Sequence, residues 1–393
     1  MPAVCSHTLN LYQKPAIGNG FAKRLPVYNY RHTIDGVGGF DTASCDIAVR
    51  SRDEGQEFLD QFIGNRVAFY ADNPVVPIWE GFINRMTFSA GGVDYSISLD
   101  EMANRVRVVY TTLSTDPATT QGAAATTTAK SAYSQSLYGI KQEQIDLGLM
   151  TAGTGVTHLR DTVIAQKALP KSSIKPGSGG GGLLHIEFLG FYHTLMWEDF
   201  RQPTAAAVQL GNFVDTIVGG ILNGTTFFDN SDTSLTIANT NTINQQTLKG
   251  ETVWDVLKKI QETGNTTNYF VIGISPTDFQ LGTRRFYYQI ASTDIVYTAR
   301  QSDGLRIRNL YGQLVPPWTV RPDAGVRVSD TLIGWNGIGD NPAETYITKI
   351  DYDSNQQTAI YSGDDDISIE GAFNYRRFNK SYGKRNGQQR RVA

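Results

Sequence analysis

The stretch "WEGFINRMTFSAGGVDYSISL", Trp79 to Leu99, decides how this chain is read. Phe82, Met86 and Phe88 share one side of a first strand, with polar Asn84 interrupting; Val93, Tyr95, Ile97 and Leu99 share one side of a second. Between them "AGG" supplies the positive-φ positions that a tight turn demands. The pattern predicts two strands of eight or more residues each, longer than the usual length of roughly five or six. A long hairpin with one apolar face belongs to a sandwich or a barrel. Almost none of its side chains is chemically reactive, so its use is architectural.

Working outward, "TASCDIAVR" alternates as a strand. Ser51 then opens a helix, with Glu54 three residues on as a capping box. Phe58, Leu59, Phe62 and Ile63 fall on one helical face, Gly64 ends it, and "RVAFYA" follows as a strand. Residues 111–128 are low in complexity, with eight Thr among 18, and read as a loop or linker. A short helix is expected near "HLRDTVIAQKAL", stopped by Pro170. The block "LLHIEFLGFYHTLMWEDF" matches the pattern of "VDYSISLDEMANRVRVVY", strand, polar break, strand, and reads as a weak internal repeat. Apolar stripes in "AAAVQLGNFVDTIVGGIL" and "GETVWDVLKKIQETG" predict two more helices. "RRFYYQIAS", "GLRIRNLYG", "GVRVSDTLIGW" and the hairpin "ETYITKIDYDSNQQTAIYSG" complete a strand-rich C-terminal part.

The bulk numbers agree. Of 393 residues, 40% are hydrophobic, 19% charged and 11% aromatic, with 39 Gly, and the formal net charge is −3. That is folded material biased to strands and turns, without the basic surface of a nucleic-acid binder. Two cysteines, Cys5 and Cys45, argue against a disulfide framework or a thiolate zinc cage. No apolar run reaches the roughly 18 residues of a membrane helix, and the start carries neither a basic n-region nor an apolar h-region.

The search for chemistry returns little. His185 and His193 stand eight apart, a metal pair if one strand carried both, but Gly190 breaks the stretch and no Cys or spaced carboxylate completes a ligand set. Asp364, Asp365 and Asp366 in "GDDDISIE" are consecutive and cannot converge as a calcium loop's ligands do. "GSGGGG" at 177–182 lacks the Lys-Ser/Thr of a phosphate cradle, and no nucleophile elbow is present. No cofactor, metal or catalytic residue is assigned. The tryptophans Trp79, Trp197, Trp254, Trp318 and Trp335 offer rings for sugars, with Trp318 and Trp335 nearest loops. "YRRFNKSYGKRNGQQRR" carries Arg376, Arg377, Lys380, Lys384, Arg385, Arg390 and Arg391 with no acid, interleaved with Tyr375, Phe378 and Tyr382. It reads as an arm that docks on nucleic acid or an acidic protein face, or as a solubilising tail. The candidate contact residues are therefore Trp79, Phe82, Tyr95, Trp318, Trp335, Tyr375 and those seven basic residues.

Three stretches carry a family resemblance: "IWEGFINRMTFSAGGVDYSISLDEMANRV"; "SLYGIKQEQIDLG" with the helix ending at Pro170 and the "HIEFLGFYHTLMW" strands; and "GETVWDVLKKIQETGN" with "YYQIASTDIVY". Together they span residues 45–300, and the chain resembles the hub proteins of bacteriophage tails and baseplates. The resemblance implies a mainly β, β-rich α+β chain of repeated tail-tube-like barrel or sandwich domains with three or four helices. It implies a first β-domain at 1–110, a linker at 111–135, a second β-domain with inserted helices at 136–300, a C-terminal β-domain or extension at 301–374 and the basic arm at 375–393. It implies a homotrimer, or a hexameric ring, that joins tube, distal-tail and spike or fibre proteins in the virion tail, with assembly in the host cytoplasm and nucleic acid only in transit. It implies no enzyme: the lysozyme-like or peptidase segment of larger hubs is not seen. The rival readings are a carbohydrate- or receptor-binding virion protein and a hydrolase acting on the host envelope.

Overall fold

The computed structural model describes residues 7–14, 17, 20–35, 39–70, 77–112, 123–150, 154–177, 182–200, 251–256 and 349–355, and the backbone of the further strands named below. The chain opens with β1 (Thr8–Tyr12), β2 (Phe21–Pro26), β3 (Tyr28–Asp35) and β4 (Gly39–Ala48). Helix α1 (Arg52–Phe62) starts where the capping residues predict. Glu54 N donates to Ser51 Oγ at 3.1 Å, and Arg50 N donates to Glu54 Oε2 at 2.6 Å, so side chains satisfy donors that the first turn leaves open. Gly64, at φ +78°, reverses the chain into β5 (Arg66–Tyr70).

The decisive hairpin is β6 (Trp79–Ala90) and β7 (Val93–Ser98), joined by Gly91 and Gly92 at φ +62° and +78°. At 12 residues β6 meets the expected length; at six β7 falls short. The chain leaves the ladder at Leu99, whose N–H donates to Asn84 O, and Asp100 is held by Asn84 and Arg85. Next come β8 (Arg105–Thr112), β9 (Ala123–Ala125), β10 (Ala129–Lys130), α2 (Ala132–Tyr138), β11 (Gln142–Met150) and α3 (Thr154–Lys167). The low-complexity stretch thus ends in a short strand, Ala123–Ala125, which pairs with β8. These strands form a small separate sheet, with β11 parallel to β8.

β12 (Lys171–Pro176) and β13 (Leu183–Leu189) follow. The second strand expected in "GFYHTLMW" is instead a 3₁₀ turn, Phe191–Met196. A Cβ on Gly190 would sit 1.6 Å from Phe40 O, so only glycine lets the backbone dive beneath β4 there. β14 (Tyr269–Ile274) pairs with β15 (Leu281–Phe286), and β16 (Val296–Ala299) belongs with later strands. β17 (Trp318–Val320), β18 (Thr331–Gly334), β19 (Ala343–Tyr346), β20 (Lys349–Asp353) and β21 (Thr358–Ser362) close the described chain. Of the two later helices expected, the one at 205–222 lies outside the described residues; of the other, only a turn at 253–256 is described.

The protein is mainly β. Its main sheet holds 12 strands, in the order β17-β21-β20-β3-β4-β13-β6-β5-β1-β2, with β7 and β12 branching from β6. Four strand steps separate β3 from β5, a flat-sheet distance of ~19 Å. Yet the rings of Tyr30 on β3 and Phe69 on β5 stack with centroids 4.2 Å apart. The sheet therefore curls into a barrel. Its seam is bridged by the chain itself, for β2 leads through Val27 into β3 and Val27 N donates to His7 O. Leu9, Leu11, Tyr30, Phe69, Trp79, Ile83, Met86 and Phe188 fill the interior and are all but fully buried. Helix α1 packs on β6, where a Cβ on Gly55 would lie 2.8 Å from the Phe88 ring, and Lys23 of β2 lies 4.9 Å from the Phe58 ring.

Candidate functional site

Strand β6 changes partners along its length. β13 lines one side over Phe82–Phe88; on the other, β5 pairs with Trp79–Phe82 and β7 with Arg85–Ala90. The switch falls at Asn84, where a bulge shifts the β13 register. The polar residue that interrupts the apolar pattern is thus the bulged one. It is buried rather than exposed, its amide donating to Asp100 Oδ1 at 2.7 Å. Burial raises the Asp100 pKa, but hydrogen bonds from Asn84, Ser98 and Arg85 outweigh it and hold the carboxyl below its usual range.

Beyond the bulge, β7 and β12 extend from β6 as a blade on the side away from β13. Ser96 and Ser173 meet across it at 2.8 Å. All six β12 residues are exposed, Ile174 to 70%, and β12 pairs with β7 alone among the described strands. β2 is the corresponding edge at the other branch, with Phe21 60% exposed.

The barrel's outer wall carries a straight cross-strand row. Asp353 of β20 faces Arg31 of β3, then Ser44 of β4, Glu187 of β13, Arg85 of β6, Ser98 of β7 and Lys171 of β12. Arg31 Nε lies 3.0 Å from Asp353 Oδ2 and Arg85 3.6 Å from Glu187 Oε2. Alternating signs at facing positions support a sheet face as apolar pairs do, though exposed pairs contribute little each. Over β20, β3, β4 and β13 the wall is hollowed into a cleft of about 620 Å³, lined among others by Arg31, Asn84, His185, Glu187, Asp351 and Asp353. Its walls are braced: Thr33 Oγ1 donates to Asp351 Oδ1 at 3.0 Å, and His185 Nδ1 lies 2.7 Å from Asp46 Oδ1.

Trp79 and Phe82 are corrections to the sequence reading. They are 0% and 3% exposed: Trp79 points into the barrel against Phe69 and Phe188, and Phe82, on the opposite face of β6, is covered by Phe191 and Trp197. Tyr95 is half-buried, its hydroxyl accepting from Arg52 at 2.7 Å with the guanidinium over its ring. Trp254 is buried against Tyr192, and Trp197 packs edge-on to Phe82. Trp318 lies in β17, paired with Tyr361. Trp335, Asp364–Asp366, Tyr375 and the basic residues Arg376, Arg377, Lys380, Lys384, Arg385, Arg390 and Arg391 lie outside the described residues.

His185 and His193 do not converge. His185 lies on β13, while His193, past Gly190, meets Asp41 Oδ1 at 2.9 Å with Nε2. Among the described residues no group of three or more His, Cys, Asp or Glu could hold a metal ion. Cys45 is buried, which pushes its thiol pKa up. No described helix is long and apolar enough to cross a membrane. Sequence reasoning missed the cleft, whose residues come from five strands distant in sequence.

No family model matches the chain, and no curated protein does. Among solved structures the chain is similar to a tail protein from Neisseria meningitidis MC58, at TM-score 0.45 and 10% identity, covering 92% of this chain and 98% of that one. It is also similar to chains in two structures of the phage P2 baseplate in its activated conformation. The one with Ca has TM-score 0.30 and the one described as a topological model of the p2 virion baseplate 0.31; each is 11% identical, covering 92% of this chain and 100% of that one.

Proposed function

We propose that the chain is a structural virion component, a bacteriophage tail or baseplate hub that forms an oligomeric ring, trimeric or hexameric, at the end of the tail tube and joins tube, distal-tail and spike or fibre proteins. The role assigned is architectural, not catalytic. One observation carries the reading: a barrel with a packed aromatic interior extends a blade, β7–β12, whose outer strand exposes all six residues. An edge strand is a template for pairing with another chain. Edge pairing between unlike surfaces of successive copies closes into a ring when the rotation closes. The sequence resemblance to tail hubs supports the same reading, and the long hairpin then serves as wall. Particle mass in solution, with a low-resolution image of the same sample, tests it. A ring of three or six copies is expected; a compact monomer across the micromolar range overturns it.

A further inference from the structure

A single carboxylate holds the 3₁₀ turn Phe191–Met196 on the barrel. Asp41 of β4 accepts at one oxygen, Oδ1, from the Tyr192 hydroxyl, and Nε2 of His193 meets the same oxygen at 2.9 Å. The backbone O of Asp41 accepts from Gly190 N at 2.7 Å. The turn so held is a cover: Phe191 and Trp197 lie against Phe82, with ring centroids 5.9 and 5.3 Å away. It also supports a later part of the chain. The Tyr192 ring packs on Trp254 at 4.8 Å. Residues 198–200 join 251–253 through Val253 N to Glu198 O and Phe200 N to Glu251 O. β14 runs beside both β4 and the turn. Asp41 therefore lies where the barrel meets the later chain.

The charges around Asp41 set the sign of its response. The turn brings Tyr192 and His193, β20 brings Lys349, and β3 brings Asp35, which faces Lys349 across the ladder. β14, Tyr269–Ile274, holds no charged residue. Segment 251–256 holds Glu251 and Asp255, and Asp255 is engaged by Thr252 in the cap of its own turn. Burial raises the Asp41 pKa, but hydrogen bonds from His193 and Tyr192, with the charges of His193 and Lys349, outweigh it and hold the carboxyl below its usual 3.8. The unfolded chain thus takes up this proton before the folded one does. Stability from the contact is complete above 3.8 and is lost as pH falls through the lower, folded value. A neutral carboxyl no longer attracts His193 and Lys349, and its charge-assisted hydrogen bonds become neutral ones of about half the strength.

We propose that Asp41 is the pin of an acid-released latch. While it is ionised, residues 190–197 and the 251–256 segment on them stay closed against the barrel; its protonation frees both while β6 and its neighbours stay paired. The latch goes beyond the ring reading and does not rest on it, because every one of its residues belongs to one copy.

Hydrogen exchange of the full chain, read by mass spectrometry from about pH 6 to about pH 3, tests the proposal. The quantity is the exchange rate of peptides from 190–197 and 251–256 divided by that of Phe82–Phe88, so that the intrinsic pH dependence of exchange cancels. In the parent this ratio should rise about tenfold across that range, the size of change that a hydrogen bond to a charged group carries, and fall back when the starting pH is restored. Asp41→Asn keeps an acceptor but removes the proton site, so its ratio should be raised from the start and flat with pH. Tyr192→Phe should raise the starting ratio and keep a weaker pH dependence through His193. Asp46→Asn, which removes the carboxylate behind His185 on the outer wall, should leave the parent profile unchanged. A parent ratio that stays flat, a barrel that opens together with the turn, or an Asp41→Asn profile that keeps the parent's slope would overturn it.

Discussion

The two halves of β6 share a strand, a ladder and a sequence style, yet they live in different environments. Trp79 through Asn84 are buried without exception, whereas from Arg85 to Ala90 burial alternates and then fades. β13 runs beside both halves; on the other side the first half has β5, with the curled sheet behind it. The second half has β7, all six of whose residues are half-buried, and then β12, all of whose residues are exposed. Composition does not separate the halves; closure does. Where the sheet returns upon itself, side chains from opposite walls meet, and where it does not, the same alternation leaves one face open. Ways to break or sharpen this contrast follow, taken from the barrel outward.

The largest effect belongs to the closed half. The ring of Trp79 sits among Phe40, Phe69 and Phe188, with centroids 5.9–6.1 Å away. Trp79→Ala should destabilise the chain by about 3–5 kcal/mol in urea unfolding. Gly81→Ala belongs beside it, since the added Cβ would lie 2.2 Å from Leu189 O, a backbone atom that cannot swing away. A loss below about 1 kcal/mol for both would mean that the barrel is not where stability resides.

Next comes the junction between the main sheet and the small sheet of β8. Asn104 is fully buried: its amide donates to Ser134 Oγ at 3.1 Å and Gly139 O at 2.7 Å, and its Oδ1 accepts from Lys141 N at 2.9 Å. Asn104→Leu strands all three partners, and each stranded buried group costs about 1–3 kcal/mol. A loss near 3 kcal/mol is expected, with hydrogen exchange rising first in α2 and the start of β11.

Much of the local structure was legible in the sequence. Alternation placed β4, β5 and β6, and Ser51 with Glu54 placed the start of α1, because those signals lie within a few residues. Closure was not legible. It depends on contacts such as Tyr30 with Phe69, and on Tyr352 with His7, whose side chains meet at 2.8 Å across 345 positions. Trp79 and Phe82 were misread for the same reason: a large aromatic on a strand looks alike on either face until register is known. Asn84 did leave a mark, since one polar residue that breaks an apolar alternation is what a bulge looks like in sequence. The cleft left none, because Arg31, Glu187 and Asp353 come together only through the sheet order.

A smaller effect concerns Lys141, which ties the start of β11 to the turn after β7. Its Nζ donates to Leu99 O at 2.5 Å and Asp100 O at 2.8 Å, and lies 5.0 Å from the Trp197 ring. Burial lowers its pKa from 10.5 to about 8, with Asp100 and Glu143 partly opposing. The unfolded chain then holds the proton more tightly than the folded one between pH 8 and 10.5, so this lysine makes stability rise with pH across that window. The gain is on the order of 3 kcal/mol in full. Denaturant midpoints from pH 7.5 to 9.5 should climb in the parent and climb less in Lys141→Met. A flat or falling parent profile would place this ammonium in water, and the junction would be looser than drawn.

The smallest effect on folding, and the sharpest test of the contrast, lies at the blade's rim. Ile174 is 70% exposed at the centre of β12. Replacing it by Lys should alter the stability of a single copy by no more than about 0.5 kcal/mol, as surface changes do. The rest of β12 already carries what discourages strand pairing, Lys171 and Lys175 with Pro176 at its end. A seam between copies would therefore concentrate on Ser172–Ile174, and a third lysine there would repel it. Ile174→Lys should thus lower the particle mass from ring to single copy while leaving the thermal midpoint in place. An unchanged mass would mean that the open half of β6 is open to solvent alone, and its difference from the closed half would then be one of burial and not of partnership.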